Sequence, residues 1–178
     1  MGNSLSIIEQ AEKRFGIEEV VWHDDPVTRE ELYQLIFFTE GKGHIQLDFE
    51  TYQITAPCIL FISEFQLFTT LEGEQVQGTV VQFSNDFFCI KLNRAETFCD
   101  AVIFNSSYSP LVPLTATERN KISFIVDLLK DELQSESLYQ EEIITAQLKT
   151  LLLECAKIKL VQLGQAPVQR LSKTVSDF

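Results

Sequence analysis

Histidine is the side chain that most often holds a catalytic metal in proteins, and this sequence contains two, His23 and His44. A metal centre built on imidazoles needs several neutral histidines that converge on one ion. The segment His44–Gln46 offers one imidazole where a His-x-His pair would offer two. We therefore expect neither a metal site nor a bound cofactor.

The four cysteines are scattered singly, without a C-x-x-C pair: Cys58, Cys89, Cys99 and Cys155. This spacing suggests neither a disulfide framework nor a zinc site. A cysteine nucleophile needs a histidine base and a third group that orients the base, and no local motif supplies them. We expect reduced thiols in or near the core, and a protein that is not an enzyme.

Two acidic pairs, Asp24-Asp25 and Glu30-Glu31, have the composition of carboxylate dyads. Both fall in a polar segment that contains Pro26. Carboxylates in such segments are usually solvated. Loop charge is therefore the favoured interpretation.

The composition indicates a single globular domain. A length of 178 residues suits one ordinary domain, and 45% hydrophobic residues are typical of globular proteins. No apolar run approaches the roughly 18 residues of a membrane span, and the first residues do not resemble a leader peptide. We expect a cytoplasmic protein with no membrane partner. A net charge of −12 repels phosphate backbones, so this polypeptide alone should not bind DNA.

Short apolar stretches separated by turn residues fill the chain from Glu18 to Leu92. Many are rich in Val, Ile, Phe, Tyr and Thr, which predicts an antiparallel barrel or sandwich. The two glycines of Glu40–Gly43 predict a tight turn between two strands. A phosphate-binding loop is disfavoured there, because a strand-like segment rather than a helix follows.

After Pro113 the apolar period changes to about 3.6, which predicts helices. Thr115–Glu118 has the spacing of a capping box, and an apolar stripe follows it: Ile122, Ile125, Val126, Leu129 and Leu133. A second box, Ser137–Gln140, predicts a helix over Leu138–Leu163 that ends at Gly164. That helix should be about 39 Å long.

The second helix has more apolar surface than one core face requires. Five residues alternate in steps of four and three, the spacing of a coiled-coil seam: Ile144, Leu148, Leu151, Cys155 and Ile158. Further apolar residues widen this face, so one side could cover the barrel while the seam meets a second copy. We predict a symmetric homodimer through this seam. The alternative is a helix buried wholly within one domain.

Several strand-and-turn motifs resemble the cupin-like barrel of AraC-type transcription regulators. They are Tyr33–Gly43, Leu60–Ser63, and Gly78–Phe83 followed by Phe87-Phe88, and the two-helix tail extends the resemblance. The resemblance implies a mainly β fold with α-helices. Its core would be a cupin-like antiparallel β-barrel of the double-stranded β-helix type, followed by two α-helices, the second long.

In function, the resemblance implies the ligand-sensing and dimerisation domain of a bacterial regulator. The expected organisation is an arm (1–17), a barrel (18–113), a helical dimerisation segment (114–164) and a linker (165–178) to a helix-turn-helix domain absent from this chain. DNA would be bound only through that domain. The alternative is a stand-alone cupin-fold protein, either a small-molecule binder or a metal-dependent enzyme. For such an enzyme, Phe68 occupies the position of the distant histidine ligand.

The barrel interior is the default place for a small-molecule effector. Four residues on or beside predicted strands are the candidate ligand-binding residues: Trp22, Tyr33, Phe37 and Gln82. Trp and Tyr combine a large apolar face with one hydrogen-bonding tip. The alternative is a small barrel filled by its own side chains. His44 should lie on the outer face, because Ile45 and Leu47 take the inward positions.

Overall fold

A computed structural model describes residues 8–10, 13–22, 28–29, 31–73, 75–85, 87 and 101–164. The strands are β1 (Ile8–Gln10), β2 (Lys13–Trp22), β3 (Thr28–Arg29), β4 (Tyr33–Glu40), β5 (Lys42–Leu47), β6 (Glu50–Thr55), β7 (Cys58–Ile62), β8 (Leu67–Gly73), β9 (Val76–Phe83) and β10 (Leu111–Pro113). Two long helices follow, α1 (Ala116–Leu133) and α2 (Gln140–Leu163).

The strands form two sheets that face each other. The large sheet has the order β1-β2-β9-β4-β7-β10, and the small sheet has the order β3-β8-β5-β6. Every strand pair that the structure describes is antiparallel. The predicted arrangement, a mainly β antiparallel fold followed by two long helices with the second longer, is confirmed.

Side chains along β9 alternate between the two faces of the large sheet. Val76 and Val80 join a cluster with residues of both sheets, which we call the inter-sheet core. Val81 and Phe83 join a cluster with residues of α1 and α2, which we call the helix-side core. This alternation follows from the period of two in a strand. The central part of the large sheet is thus buried on both faces.

Two glycines allow turns and strands to approach closely. Gly41 has a φ of 99° between β4 and β5, which confirms the predicted turn at Glu40–Gly43. At Gly78, a Cβ atom would lie 2.3 Å from the backbone oxygen of Phe37. A side chain there would force β9 away from β4.

The start of α1 confirms the predicted capping box. Thr115 Oγ1 accepts a hydrogen bond from the Glu118 amide over 3.3 Å, and the Thr115 amide donates to Glu118 Oε2 over 2.8 Å. The two bonds satisfy backbone donors that have no partner within the helix. All five residues of the predicted stripe, Ile122 to Leu133, are buried in the helix-side core.

The predicted capping box at Ser137–Gln140 does not form. The helix begins at Gln140, and Tyr139 precedes it without a side-chain cap. The Gln140 side chain donates instead to backbone oxygens at the end of α1, to Glu132 over 2.8 Å and to Leu133 over 3.2 Å. The last carbonyl groups of α1 have no partner within their own helix, and they bind the Gln140 side-chain amide that the capping box would have used at the start of α2. The predicted stop at Gly164 is correct, since α2 ends at Leu163.

The residues of the predicted dimer seam are buried in the core of a single copy of the protein. All five, Ile144, Leu148, Leu151, Cys155 and Ile158, are at most 5% exposed and belong to the helix-side core. The reason is that α1 and α2 together cover one face of the large sheet. The apolar stripe of α2 packs against the protein's own core and does not form an exposed surface. This agrees with the alternative interpretation, in which the helix is buried within one domain.

Some predicted boundaries shift or fall outside the described residues. The predicted arm, 1–17, includes β1 and the first half of β2, so pairing begins before residue 18. The predicted linker, 165–178, and the residues Phe88–Leu92 lie outside the described part, as does His23. Among the described residues, no helix is long and apolar enough to cross a membrane.

Candidate functional site

The four ligand-binding residues predicted from the sequence do not share one site. Trp22 lies in the inter-sheet core, with its ring centroid 5.3 Å from that of Phe38. Gln82 also faces this space, because Val80 does so two residues earlier on β9. Gln82 pairs with Gly16 rather than with Trp22. Gly16 and Trp22 are six positions apart along β2, or about 20 Å.

Tyr33 and Phe37 lie on the opposite face of the large sheet. Phe37 is buried in the helix-side core, and Tyr33 is half-buried against it. The inter-sheet space is occupied by twelve buried residues from both sheets. Its polar end is formed by Gln82 and its cross-strand neighbour Gln34, both half-buried. A Cβ atom on Gly16 would lie 3.2 Å from Gln82 Nε2, so this glycine leaves room for the amide.

A cleft of about 400 Å³ opens at one end of the sandwich. The β5–β6 turn and the end of β7 form one side, and the segment 103–110 forms the other. Apolar lining is provided by Phe61, Ile103 and Phe104, and the polar lining residues include Asp48, Glu50, Ser63, Ser106 and Tyr108. A concave, partly apolar cavity with a few polar groups is typical of a small-molecule site.

Asp48 fixes the rim of this cleft. Its carboxylate accepts hydrogen bonds from Gln66 Nε2 and from the Leu67 amide, each over 2.9 Å. The Asp48 amide donates in turn to the Leu67 backbone oxygen over 2.7 Å. Asp48 has a φ of 55°, a region that Asp tolerates better than most residues. The β5–β6 turn is thereby joined to the β7–β8 turn.

Four aromatic side chains connect the cleft to the helix-side core. We call Tyr33, Phe61, Phe83 and Phe104 the aromatic cluster. Phe104 contacts each of the others, with ring centroids 4.7 Å from Tyr33, 6.0 Å from Phe61 and 6.3 Å from Phe83. Of the four predicted ligand-binding residues, Tyr33 is the one whose ring packs on a residue lining this cleft.

Lys159 of α2 is buried directly behind the cleft wall. Its residue is 2% exposed, and Nζ donates to the Ile103 backbone oxygen over 3.0 Å. Nζ also lies 5.5 Å from the ring centroid of Phe61. Burial lowers the pKa of Lys159 to about 8. In the described part of the chain, no carboxylate forms an ion pair with this ammonium group.

Lys159 is not among the candidate residues predicted from the sequence, although the sequence contains a signal for it. The residue follows Cys155 by four positions and Leu152 by seven, so it shares their apolar helix face. A lysine in such a face is rarely buried without a partner. This contrast between residue type and position marks it as a candidate functional group.

A second groove, of about 640 Å³, lies between α1 and the uncovered part of the large sheet. Its lining includes Thr39, Gln77 and Thr79 from the sheet and Ser123 from α1. Lys130 on its border forms an ion pair with Glu19 over 2.6 Å. The three charged residues that line this groove, Glu19, Asp127 and Lys130, are thus paired with one another, whereas Lys159 has no such ion pair among the described residues.

The remaining candidates for chemistry have structural surroundings. His44 is exposed on the outer face of β5, while Ile45 and Leu47 are buried, as predicted. Cys58 and Cys155 are buried reduced thiols, as predicted, and burial raises the pKa of Cys58 to about 11. Within the described ranges, no group of three or more His, Cys, Asp or Glu side chains is placed to hold a metal ion.

Of the other two cysteines and the two acidic pairs, Glu31 alone is among the described residues. Cys89, Cys99 and Asp24-Asp25 lie outside the described residues, whereas Glu31 is exposed. The exposure of Glu31 agrees with solvated loop charge.

No protein-family model matches the sequence, and no curated protein does. Solved structures with a similar backbone fold over part of the chain include the plu4264 protein of Photorhabdus luminescens. It has 11% identity and a TM-score of 0.36, and the match covers 46% of this chain and 82% of that one. The cupin domain of Cnp3 from Schizosaccharomyces pombe has 11% identity and a TM-score of 0.34, over 45% of this chain and 59% of that one. A cupin-2 domain protein from Shewanella frigidimarina has 11% identity and a TM-score of 0.33, over 46% of this chain and 78% of that one. At this level of similarity, residue roles do not transfer.

Proposed function

We propose that this chain is the ligand-sensing and dimerisation module of an AraC-type transcription regulator of the bacterial cytoplasm. The cleft would bind a small-molecule effector, and the helices would pass the bound state to a second copy and to a DNA-binding domain outside this chain. On this proposal the chain catalyses no reaction. The sequence motifs that resemble the family support it, together with the order of sandwich, α1 and α2.

The observation that carries the proposal is the contact between the cleft and α2. Phe61 and Ile103 both line the cleft, and both contact the Lys159 ammonium group of α2. A ligand that displaces either lining residue would therefore alter the surroundings of a buried charge on the helix. Sensing requires such a differential interaction between the ligand-free and ligand-bound states.

The homodimer remains part of the proposal, on a different surface of the helices. The outward stripe of α2 contains Leu153, which is 44% exposed, and Val161 two turns later. On α1, Phe124 and Leu128 are also exposed. The ion pair between Lys121 of α1 and Glu154 of α2 brings these stripes side by side. Exposed apolar side chains grouped on two adjacent helices are typical of an interaction surface.

A stand-alone cupin-fold protein is equally compatible with the fold. A metal-dependent enzyme of that kind would purify with a near-stoichiometric metal ion. Elemental analysis of the purified chain separates the two functions, because a full metal complement would contradict the regulator.

Thermal unfolding with a panel of small molecules tests effector binding. A compound that binds only the folded state raises the Tm by mass action. We expect a rise with at least one of glucose, phenylacetate, phenylacetamide and octanoate. Ser106→Trp should remove most of that rise by filling the cleft, because Ser106 lines it.

Ser107→Trp is the matched control, since Ser107 is also exposed but is not among the residues lining the cleft. This variant should respond like the wild type. The proposal fails if no compound raises the Tm, or if both tryptophan variants respond as the wild type does.

A further inference from the structure

We propose that Lys159 is the anion-binding residue of the effector site, and that the effector is a small organic monocarboxylate with an apolar or aromatic body. The inference rests on the proposed function and specifies the ligand class of the same cleft. Three observations support it: the described residues provide no counter-ion for a buried ammonium group, this group lies behind the cleft wall, and carboxylates line the cleft.

Among the described residues, only part of the hydrogen-bonding capacity of Lys159 is used. A lysine ammonium group has three N–H donors. One of them is bonded to the Ile103 backbone oxygen, and the face of the Phe61 ring lies nearby. Neither neighbour carries a negative charge. A buried charge without a counter-ion is costly, so a ligand carboxylate would supply the counter-ion that the described residues do not.

Displacement of Phe61 or Ile103 would open a path from the cleft to this group, because both residues are buried between them. Phe61 and Ile103 both interact with Nζ, and both also line the cleft. A carboxylate that reaches between them meets the ammonium group in a site largely shielded from water. Charge-assisted hydrogen bonds are stronger than neutral ones, and shielding from water increases their strength.

The lining of the cleft restricts the rest of the ligand. Phe61 and Phe104 offer aromatic faces for an apolar body. Asp48 and Glu50, at the β5–β6 turn, also line the cleft. These carboxylates would repel a second negative charge, and the whole chain has a net charge of −12. The cleft therefore suits a monoanion better than a dicarboxylate or a phosphate ester.

Calorimetric titration with phenylacetate and with its neutral isostere phenylacetamide tests this inference. The wild type should bind phenylacetate at least about tenfold more tightly than phenylacetamide, the difference expected for one charge-assisted hydrogen bond. Lys159→Met keeps the length of the side chain without its charge. It should lose that preference, whereas Lys157→Met should keep it, because Lys157 is exposed and paired with Glu154.

A second measurement needs no variant. The ¹³Cε resonance of Lys159 reports its ionisation in the wild type, and bound phenylacetate should raise its pKa from about 8. An unchanged pKa at saturating phenylacetate overturns the inference.

The outcomes also separate this inference from the proposed function. If the cleft binds phenylacetamide as well as phenylacetate, and Ser106→Trp blocks both, the sensing function stands and the anion site is excluded. If glucose alone binds in the cleft, the same conclusion holds. If no compound of the panel binds, both proposals fail.

Discussion

Lys159 Nζ and the Ile103 backbone oxygen are joined by a 3.0 Å hydrogen bond between α2 and the segment that lines the cleft. Ile103 is the last residue of a helical segment, and Phe104 follows it outside the helix. A cation at the C-terminal end of a helix is favourable, because it interacts with unpaired carbonyl groups. The bond thus holds the cleft wall against α2 and also keeps an ammonium group away from water.

Lys159→Met should change how stability depends on pH. Because the folded-state pKa is lowered to about 8 from an ordinary 10.5, the unfolded chain binds more protons between these values. Stability of the wild type relative to Lys159→Met should therefore rise by on the order of 1–3 kcal/mol as the pH increases from 8 to 10.5. Below pH 8 the difference should be constant, because Lys159 is protonated in both states.

Urea unfolding of both proteins at pH 7 and pH 10 measures this difference. Cys58 also titrates in this range, but it is common to both proteins and cancels in the comparison. A stability difference that is independent of pH would show that the ammonium group is solvated.

Leu151 and Leu153 should respond oppositely to a charge. Leu151 is 0% exposed in the helix-side core, so Leu151→Glu should cost about 3 kcal/mol or more and leave the chain unfolded or nearly so. Leu153 is 44% exposed, and Leu153→Glu should change the free energy of unfolding of the monomer by less than about 0.5 kcal/mol. Circular dichroism spectra and urea unfolding distinguish the two variants.

Sedimentation of Leu153→Glu tests where the dimer forms. We expect a dimeric wild type and a folded monomeric variant, because the substitution places like charges in a symmetric interface. A dimer that survives Leu153→Glu would exclude the outward face of α2. A monomeric wild type would exclude dimerisation through this chain alone.

Asp48→Ala should loosen the rim of the cleft. The substitution removes two hydrogen bonds and places alanine at a φ of 55°. We expect a loss of about 2–3 kcal/mol in unfolding free energy. Asp48→Gly also removes the bonds but tolerates the positive φ, so its loss should be smaller by about 1 kcal/mol. Equal losses would mean that the backbone conformation contributes nothing.

The strands and helices could be predicted because their signals are local. Alternation along segments such as β9 and the capping box at Thr115 depend on neighbouring residues alone. The surface against which each apolar face packs could not be predicted in the same way. The spacing of Ile144 to Ile158 is the same for a helix on its own sheet and for one on a second copy. Only the packing of α2 shows that the chain covers this stripe itself.

The cleft depends on contacts between distant parts of the sequence. It combines a turn near residue 48, the end of β7 and the segment 103–110, and no local pattern links the three. Trp22, Phe37 and Gln82 were predicted from residue type, without knowledge of which sheet face each strand presents. Tyr33 comes closest to the cleft because its ring packs on Phe104.

Amide hydrogen exchange tests most directly whether a ligand bound in the cleft changes the stability of α2. Exchange is followed in the wild type and in Ser106→Trp, with and without saturating phenylacetate. In the wild type, phenylacetate should slow exchange both in the segment 103–110 and in the turn of α2 around Lys159, because a bound carboxylate would join the two. Ser106→Trp should show neither effect. Slower exchange confined to 103–110, with α2 unchanged, would contradict the proposed effect of the ligand on α2.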